Sequence, residues 1–176
     1  LTGAGRGFCA GGDVKAMAEG NELGGQTMED RAQALRSRME TSRWLHEMPK
    51  PTIAMMRGPA AGAGLSLAMA CDMRIASDTV KLGTAFARVG YSGDFGGSYY
   101  LTQLVGTAKA RELYFTAELL DAQQALGLGL LNRVVADARL EEETMALAAR
   151  LARGPRVAYR YMKRNMNAAE TASLKD

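Results

Sequence analysis

The run Gly58-Pro59-Ala60-Ala61-Gly62-Ala63-Gly64 constrains this chain more than any other feature. Apart from the proline ring, nothing in it is larger than a methyl group. Such a segment buries no core of its own. It reads as a turn that another backbone approaches closely. Thr52-Ile53-Ala54-Met55-Met56 before it reads as a short buried strand. Leu65 to Cys71 after it reads as an apolar helix. A Gly/Ala-rich turn just ahead of a helix leaves backbone N–H groups without acceptors, and the helix dipole adds partial positive charge there. A second turn of this kind opens the chain, Gly3-Ala4-Gly5-Arg6-Gly7-Phe8-Cys9-Ala10-Gly11-Gly12-Asp13. Its Gly11-Gly12 pair precedes a short expected helix, Val14 to Ala18, which Asp13 is placed to cap. Two such turns converging on one point would form an oxyanion hole. From the glycine positions alone, tight turns with close backbone packing are the alternative.

The rest of the chain alternates short strands with helices, which argues for an α/β fold. Helical spacing covers Met28 to Met48, with Met28, Ala32, Leu35, Met39, Trp44, Leu45 and Met48 on one broad face. Pro49 and Pro51 stop it. Strands are expected at Met73 to Ala76, Val80 to Gly83 and Leu130 to Val135. Helices are expected at Tyr99 to Val105, Ala108 to Ala117, Ala122 to Leu126 with Asp121 as cap, Leu140 to Arg153 and Val157 to Ala172. Residues 20–26 read as a loop. A third glycine-rich loop runs from Gly90 to Gly97. The tail after about residue 136 reads as a dimer or trimer arm rather than part of the core.

At 176 residues the chain has room for one domain with a real core. Hydrophobic residues at 47% and charged residues at 23% exclude disorder for its bulk. The net charge is +3, but no Lys/Arg stripe and few aromatics accompany it, so nucleic-acid binding has no support. Cys9 and Cys71 form no CxxC pair and His46 is the one histidine, which argues against a zinc site or a disulfide framework. Two free thiols suit a reducing compartment, and a cytoplasmic location is expected. No apolar run is long enough for a membrane span, and no signal peptide is seen. Leu1-Thr2-Gly3 reads like the end of a strand entering a turn, so the chain is expected to be a fragment truncated at both ends. A phosphate loop is excluded because Leu65-Ser66 follows Gly64. The same residues break a dinucleotide GxGxxG after Gly62-Ala63-Gly64.

Several motifs then agree in order and spacing. They are Phe8-Cys9-Ala10-Gly11-Gly12-Asp13, Pro49-Lys50-Pro51-Thr52-Ile53-Ala54, and Gly58 to Ala68 with Cys71-Asp72. Gly96-Gly97 to Gly106 and Ala122 to Leu128 follow. Together they resemble the enoyl-CoA hydratase/isomerase (crotonase) family over nearly the whole chain. The resemblance implies a spiral of β-β-α units with a C-terminal helical region. It implies an acyl-CoA-binding core at 1–136 and an incomplete helical trimerisation region at 137–176. It implies an acyl-CoA thioester substrate, no cofactor beyond the coenzyme A of that substrate, no metal, and a homotrimer or dimer of trimers.

By motif position, Gly12 and Ala63 look like the two backbone donors to the thioester oxygen. Phe8, Ala10, Gly11, Asp13, Gly62, Gly64, Ser66, Phe86 and Tyr91 fall at substrate or CoA-binding positions, although Asp13 also reads as a cap. The family's hydratases carry two glutamates, and their positions hold Ser66 and Phe86 here. Asp94 resembles the aspartate of the dienoyl-CoA isomerases and of the ring-epoxide isomerases of phenylacetyl-CoA breakdown. Beside Phe86 and Phe95 its carboxylate is expected to be desolvated and more basic. This implies a double-bond isomerase with Asp94 as acid/base. The alternatives are a hydratase or other lyase, nucleophilic displacement by Asp94, and a non-catalytic CoA-ester binder. From the residues alone, Asp94 reads as an N-cap for the helix after Gly96-Gly97.

Overall fold

The computed structural model describes residues 1–13, 15, 16, 19 and 27–174. The expected loop at 20–26 and most of the expected 14–18 helix lie outside these residues. Asp13 does sit as expected. Its Oδ1 accepts from the N–H of Lys15 and of Ala16, at 3.0 and 3.1 Å.

Helix α1 spans Met28–Glu47 and starts on a reciprocal cap. Thr27 Oγ1 accepts from Asp30 N while Asp30 Oδ2 accepts from Thr27 N, both at 3.1 Å. Strands β1 (Ile53–Met56) and β2 (Pro59–Ala61) lead into α2 (Ala63–Met69). Strands β3 (Met73–Ser77) and β4 (Lys81–Gly83) lead through a 3₁₀ turn, Phe86–Val89, into α3 (Gly97–Thr116). Then follow β5 (Leu120–Asp121), α4 (Ala122–Gly127), β6 (Arg133–Val135), α5 (Leu140–Ala152) and α6 (Arg156–Ala169). Helix α4 carries the cap expected at Asp121, whose Oδ1 accepts from Gln123 N and Gln124 N.

Pairing turns this order into a spiral. β1 pairs parallel with β3, and β2 pairs parallel with β4. Each β-β-α unit therefore adds one strand to each of two sheets, ordered β1-β3-β6 and β2-β4-β5. The head of the chain forms the preceding turn of the same spiral: Thr2 bridges Met55 and Cys9 bridges Ala60, both in parallel sense. Ala54, Ala60, Ala68 and Ala76 are fully buried, and their methyl side chains let the sheets and α2 approach closely. Met56, Ile75, Leu82 and Leu101 fill the wider space between layers.

Three expectations shift. The helix after the second turn begins at Ala63 rather than Leu65, because the backbone break falls at Gly62 (φ 53, ψ −125). The two helices expected around residue 106 are one element interrupted at Gly106, whose φ of 76 and ψ of 165 are not helical. The broad apolar face expected on α1 is only partly covered, with Leu35, Met39, Leu45 and Met48 half-buried. Met28 and Trp44 are exposed, and Ser42 is the buried residue of this helix. Helix α1 packs on α2 and α6, so its coverage follows tertiary position rather than its apolar period.

Two buried cations fasten the spiral. The Arg74 guanidinium donates to the carbonyls of Leu130 (2.7 Å) and Cys71 (2.6 Å), at the end of α2, and burial pushes its pKa down. The Lys163 ammonium, on α6, donates to Leu45 O, Lys50 O and Asp72 Oδ2 at 2.9, 3.2 and 2.9 Å. That Asp72 oxygen also accepts from Thr52 N and Thr52 Oγ1. Helix α6 is thereby tied to the end of α1, the start of β1 and the turn after α2, while α5 packs on β1 and β3. Lys163→Met keeps most of the stem and removes the charge. It takes the cation away from Asp72, which keeps its two bonds from Thr52, and one donor away from each of two carbonyls, and we expect a loss of about 3 kcal/mol. A lower urea midpoint with an unchanged slope is the expected reading; an unchanged midpoint would show the ammonium to be dispensable.

Candidate active site

The two glycine-rich turns meet because the first is laid along β2. Phe8 N and Cys9 N both donate to Pro59 O, and Ala61 N donates back to Cys9 O at 3.0 Å. This pairing needs a residue without a side chain on the next turn. A methyl on Gly64 would overlap the Cys9 carbonyl oxygen and carbon. Gly11 then lies over the second turn, so close that a β-carbon there would stand 3.6 Å from Ala63 N. Ala63 is the first residue of α2, and no helix carbonyl reaches its N–H. Gly12 follows Gly11 on the exposed side of the first turn. Gly11, the neighbour of Gly12 in the chain, is thus brought beside Ala63.

Behind the second turn stands Phe86. Its ring edge lies 3.7 Å from where a Gly62 β-carbon would be. Ser66 is buried and donates from Oγ to Gly62 O at 3.2 Å, so it backs the turn. Phe86 stacks on Tyr114 of α3, with ring centroids 5.9 Å apart and planes inclined by 14°. Tyr114 in turn lies against Gly93, next to Asp94. A continuous set of contacts therefore runs from the second turn through Phe86 and Tyr114 to the third loop.

Asp94 does not cap α3. The N-cap is Gly96, which has no side-chain cap bond, and Gly97 N donates to the backbone oxygen of Asp94 at 3.0 Å. The N-cap reading of Asp94 is therefore overturned. Its Oδ1 is buried. Burial and the Asp94 charge together push the Tyr114 hydroxyl up to about 12, which keeps it a neutral donor across physiological pH. Three described residues other than glycine have positive φ, namely Ala85, Phe95 and Ala117. Two of these adjoin Phe86 and Asp94, so backbone strain is held next to the candidate base.

The remaining expected residues are placed less centrally. Phe8 is buried in the core cluster beneath the first turn. Ala10 and Asp13 are exposed on that turn. Tyr91 is exposed on the third loop. His46 lies elsewhere, where its Nε2 is 3.2 Å from Glu170. Tyr114 was not found from the sequence. A tyrosine on a helix reads as core, and nothing local announces what it faces. Among the described residues, no three His, Cys, Asp or Glu side chains come together to hold a metal. No described helix is long and apolar enough to cross a membrane. A cavity of about 830 Å³ lies apart from this site, between β1 and helices α5 and α6. Its lining includes Ile53, Met55, Leu151, Lys50 and Arg160 and no carboxylate.

The family model for enoyl-CoA hydratase/isomerase matches residues 1–176. The chain belongs to this family. A Rhodobacter capsulatus protein assigned as an enoyl-CoA hydratase is 37% identical over 169 residues, covering 96% of this chain and 63% of that protein. The chain thus spans less than two thirds of that curated relative. Among solved structures, a Thermobifida fusca YX protein assigned as an enoyl-CoA hydratase, in complex with CoA, superposes with a TM-score of 0.89. It is 37% identical, and the match covers 99% of this chain and 68% of that one. An enoyl-CoA hydratase from Polaromonas sp. JS666 gives a TM-score of 0.91 at 33% identity, covering 99% of this chain and 66% of that one. The expected crotonase spiral is therefore the fold. Against the family pattern, this member holds Ser66 and Phe86 where hydratases were expected to carry glutamates.

Proposed function

We propose that this chain is the core of an acyl-CoA double-bond isomerase, with Asp94 as acid/base and Gly12 and Ala63 as backbone donors to the thioester oxygen. The observation that carries the reading is Asp94 itself, half-buried with its Oδ1 shielded from solvent, on the loop whose Gly93 lies against Tyr114 of the Phe86–Tyr114 stack. Asp94 takes a proton from the carbon next to the thioester, and the electron pair moves onto the thioester oxygen. The two N–H groups hold that dienolate. The same carboxyl returns the proton two carbons further along the acyl chain, so the double bond moves and no electrons are gained or lost. Apolar Phe86 and buried Ser66 supply no second carboxylate to activate a water.

The CoA-bound state of the Thermobifida relative supports an acyl-CoA ligand. In this reading coenzyme A enters only as part of the substrate, and the protein acts in the cytoplasm. Residues 1–136 bind the acyl-CoA. Residues 137–176 carry subunit contacts in a homotrimer or dimer of trimers, a role supported by Val157 and Met166, which are exposed on α6. A second reading, hydration, is favoured by the names of the relatives.

Product analysis separates the two. Incubated with a β,γ-unsaturated acyl-CoA, the protein is expected to deliver the α,β-unsaturated isomer. With crotonyl-CoA it is expected to add water no faster than the uncatalysed background. Substantial hydration would replace the isomerase reading with the lyase one, and binding without either reaction would leave a CoA-ester-binding protein.

A further inference from the structure

Tyr114 carries a buried hydroxyl that the mechanism above leaves unused. Its hydroxyl is shielded from solvent and has no hydrogen-bond partner among the described residues. An unfilled buried donor costs about 1–3 kcal/mol, so its position calls for a reason. That position is built by residues from three elements. Phe86 stacks on the ring. Gly93 leaves room on one side, where a β-carbon would come within 3.3 Å of Oη. Gly97 leaves room on another, where a β-carbon would stand 2.6 Å from Oη and overlap Ser66 Oγ. Any larger residue at 97 would displace the phenol. Ser66 spends its proton on Gly62 O. Arg88, on the 3₁₀ turn just before this loop, donates from Nη2 to the Ala117 carbonyl at 2.7 Å. Asp94, adjoining Gly93, is the anionic group near enough to act on the phenol.

We propose that Tyr114 is a positioning residue for Asp94, its hydroxyl donating to the carboxylate and aiming it at the bound acyl chain. Hydrogen bonds of this kind are commonly long in ligand-free enzymes and tighten in the complex. The phenol keeps its own proton throughout. It holds the carboxylate in its charged, proton-accepting form, because a donor to the charged form favours that form. The inference rests on the assignment of Asp94 as the base, but its test does not depend on turnover.

Tyr114→Phe removes the hydroxyl and retains the stack on Phe86. The titration of Asp94 is followed by the carbon-13 shift of its carboxyl, identified as the signal that Asp94→Asn deletes. It is recorded in the free protein and with butyryl-CoA. In the Phe variant the midpoint is expected to move to higher pH by about one unit, with thermal unfolding unchanged. Turnover is expected to fall about 10-fold in kcat with little change in KM. A midpoint unmoved both free and with butyryl-CoA overturns the proposal, whatever the activity. An inactive wild-type protein would count against the isomerase reading, while the carbon titration would still decide on Tyr114.

Discussion

Asp94→Asn is expected to lower isomerisation by about 10²–10⁴-fold, the range for removing a positioned acid/base. The amide has nearly the shape of the carboxylate, so packing against the third loop is retained. The backbone oxygen that accepts from Gly97 N is untouched, and α3 keeps its start. Binding of a saturated acyl-CoA should therefore change by no more than about threefold, since the proposed N–H donors at Gly12 and Ala63 do not involve this side chain. Separating turnover from binding in this way tells a base from a scaffold residue. Wild-type rates in the Asn variant would remove Asp94 from the mechanism. A parallel loss of binding and of thermal stability would mark it as structural.

The second large effect is expected at Gly64. Gly64 has ordinary helical geometry, so alanine is allowed there by the backbone. The cost is steric alone. The new methyl would overlap the carbonyl of Cys9, and a backbone carbonyl cannot rotate aside as a side chain can. The first turn must lift off the second. Overpacking of this kind costs about 3 kcal/mol. A displacement of about 1 Å between the donor pair would cost about 100-fold in turnover. Gly64→Ala is thus expected to lose both stability and activity in one step. Gly127→Ala is the internal control. Nothing lies within 4 Å of that β-carbon position, and the residue closes α4. Alanine there is expected to be neutral or to stabilise by up to about 1 kcal/mol. Chemical denaturation of the two variants side by side makes the comparison. Equal midpoints would mean that the turns are not in the contact described.

These two positions also show what the sequence could say. A glycine-rich turn ahead of a helix is visible from composition and order, because its physics is that of the backbone. The two turns themselves, with Gly11 beside Ala63 and Gly64 against Cys9, were legible for that reason. The capping residues Asp13 and Asp121 were legible because a cap is a local bond. The covered face of α1 was not, because a helical period shows which residues align but not what lies against them. Tyr114 was not legible either. Its significance depends on Gly93 and Gly97 having no β-carbon and on Phe86 arriving from another element. Lys163 reads as a solvent-facing charge on an amphipathic helix. It is buried because Leu45, Lys50 and Asp72, far away in sequence, present acceptors to one point.

That last contact bears on how the protein is made. On the ribosome, both sheets and the glycine-rich turns emerge before α6. Until Lys163 arrives, Asp72 and the carbonyls at the end of α1 lack the ammonium that completes their hydrogen bonding. These acceptors flank the start of β1, the strand that leads into the second turn. Docking of α6 supplies that ammonium, so the start of β1 is consolidated only after a helix far downstream of it has been made.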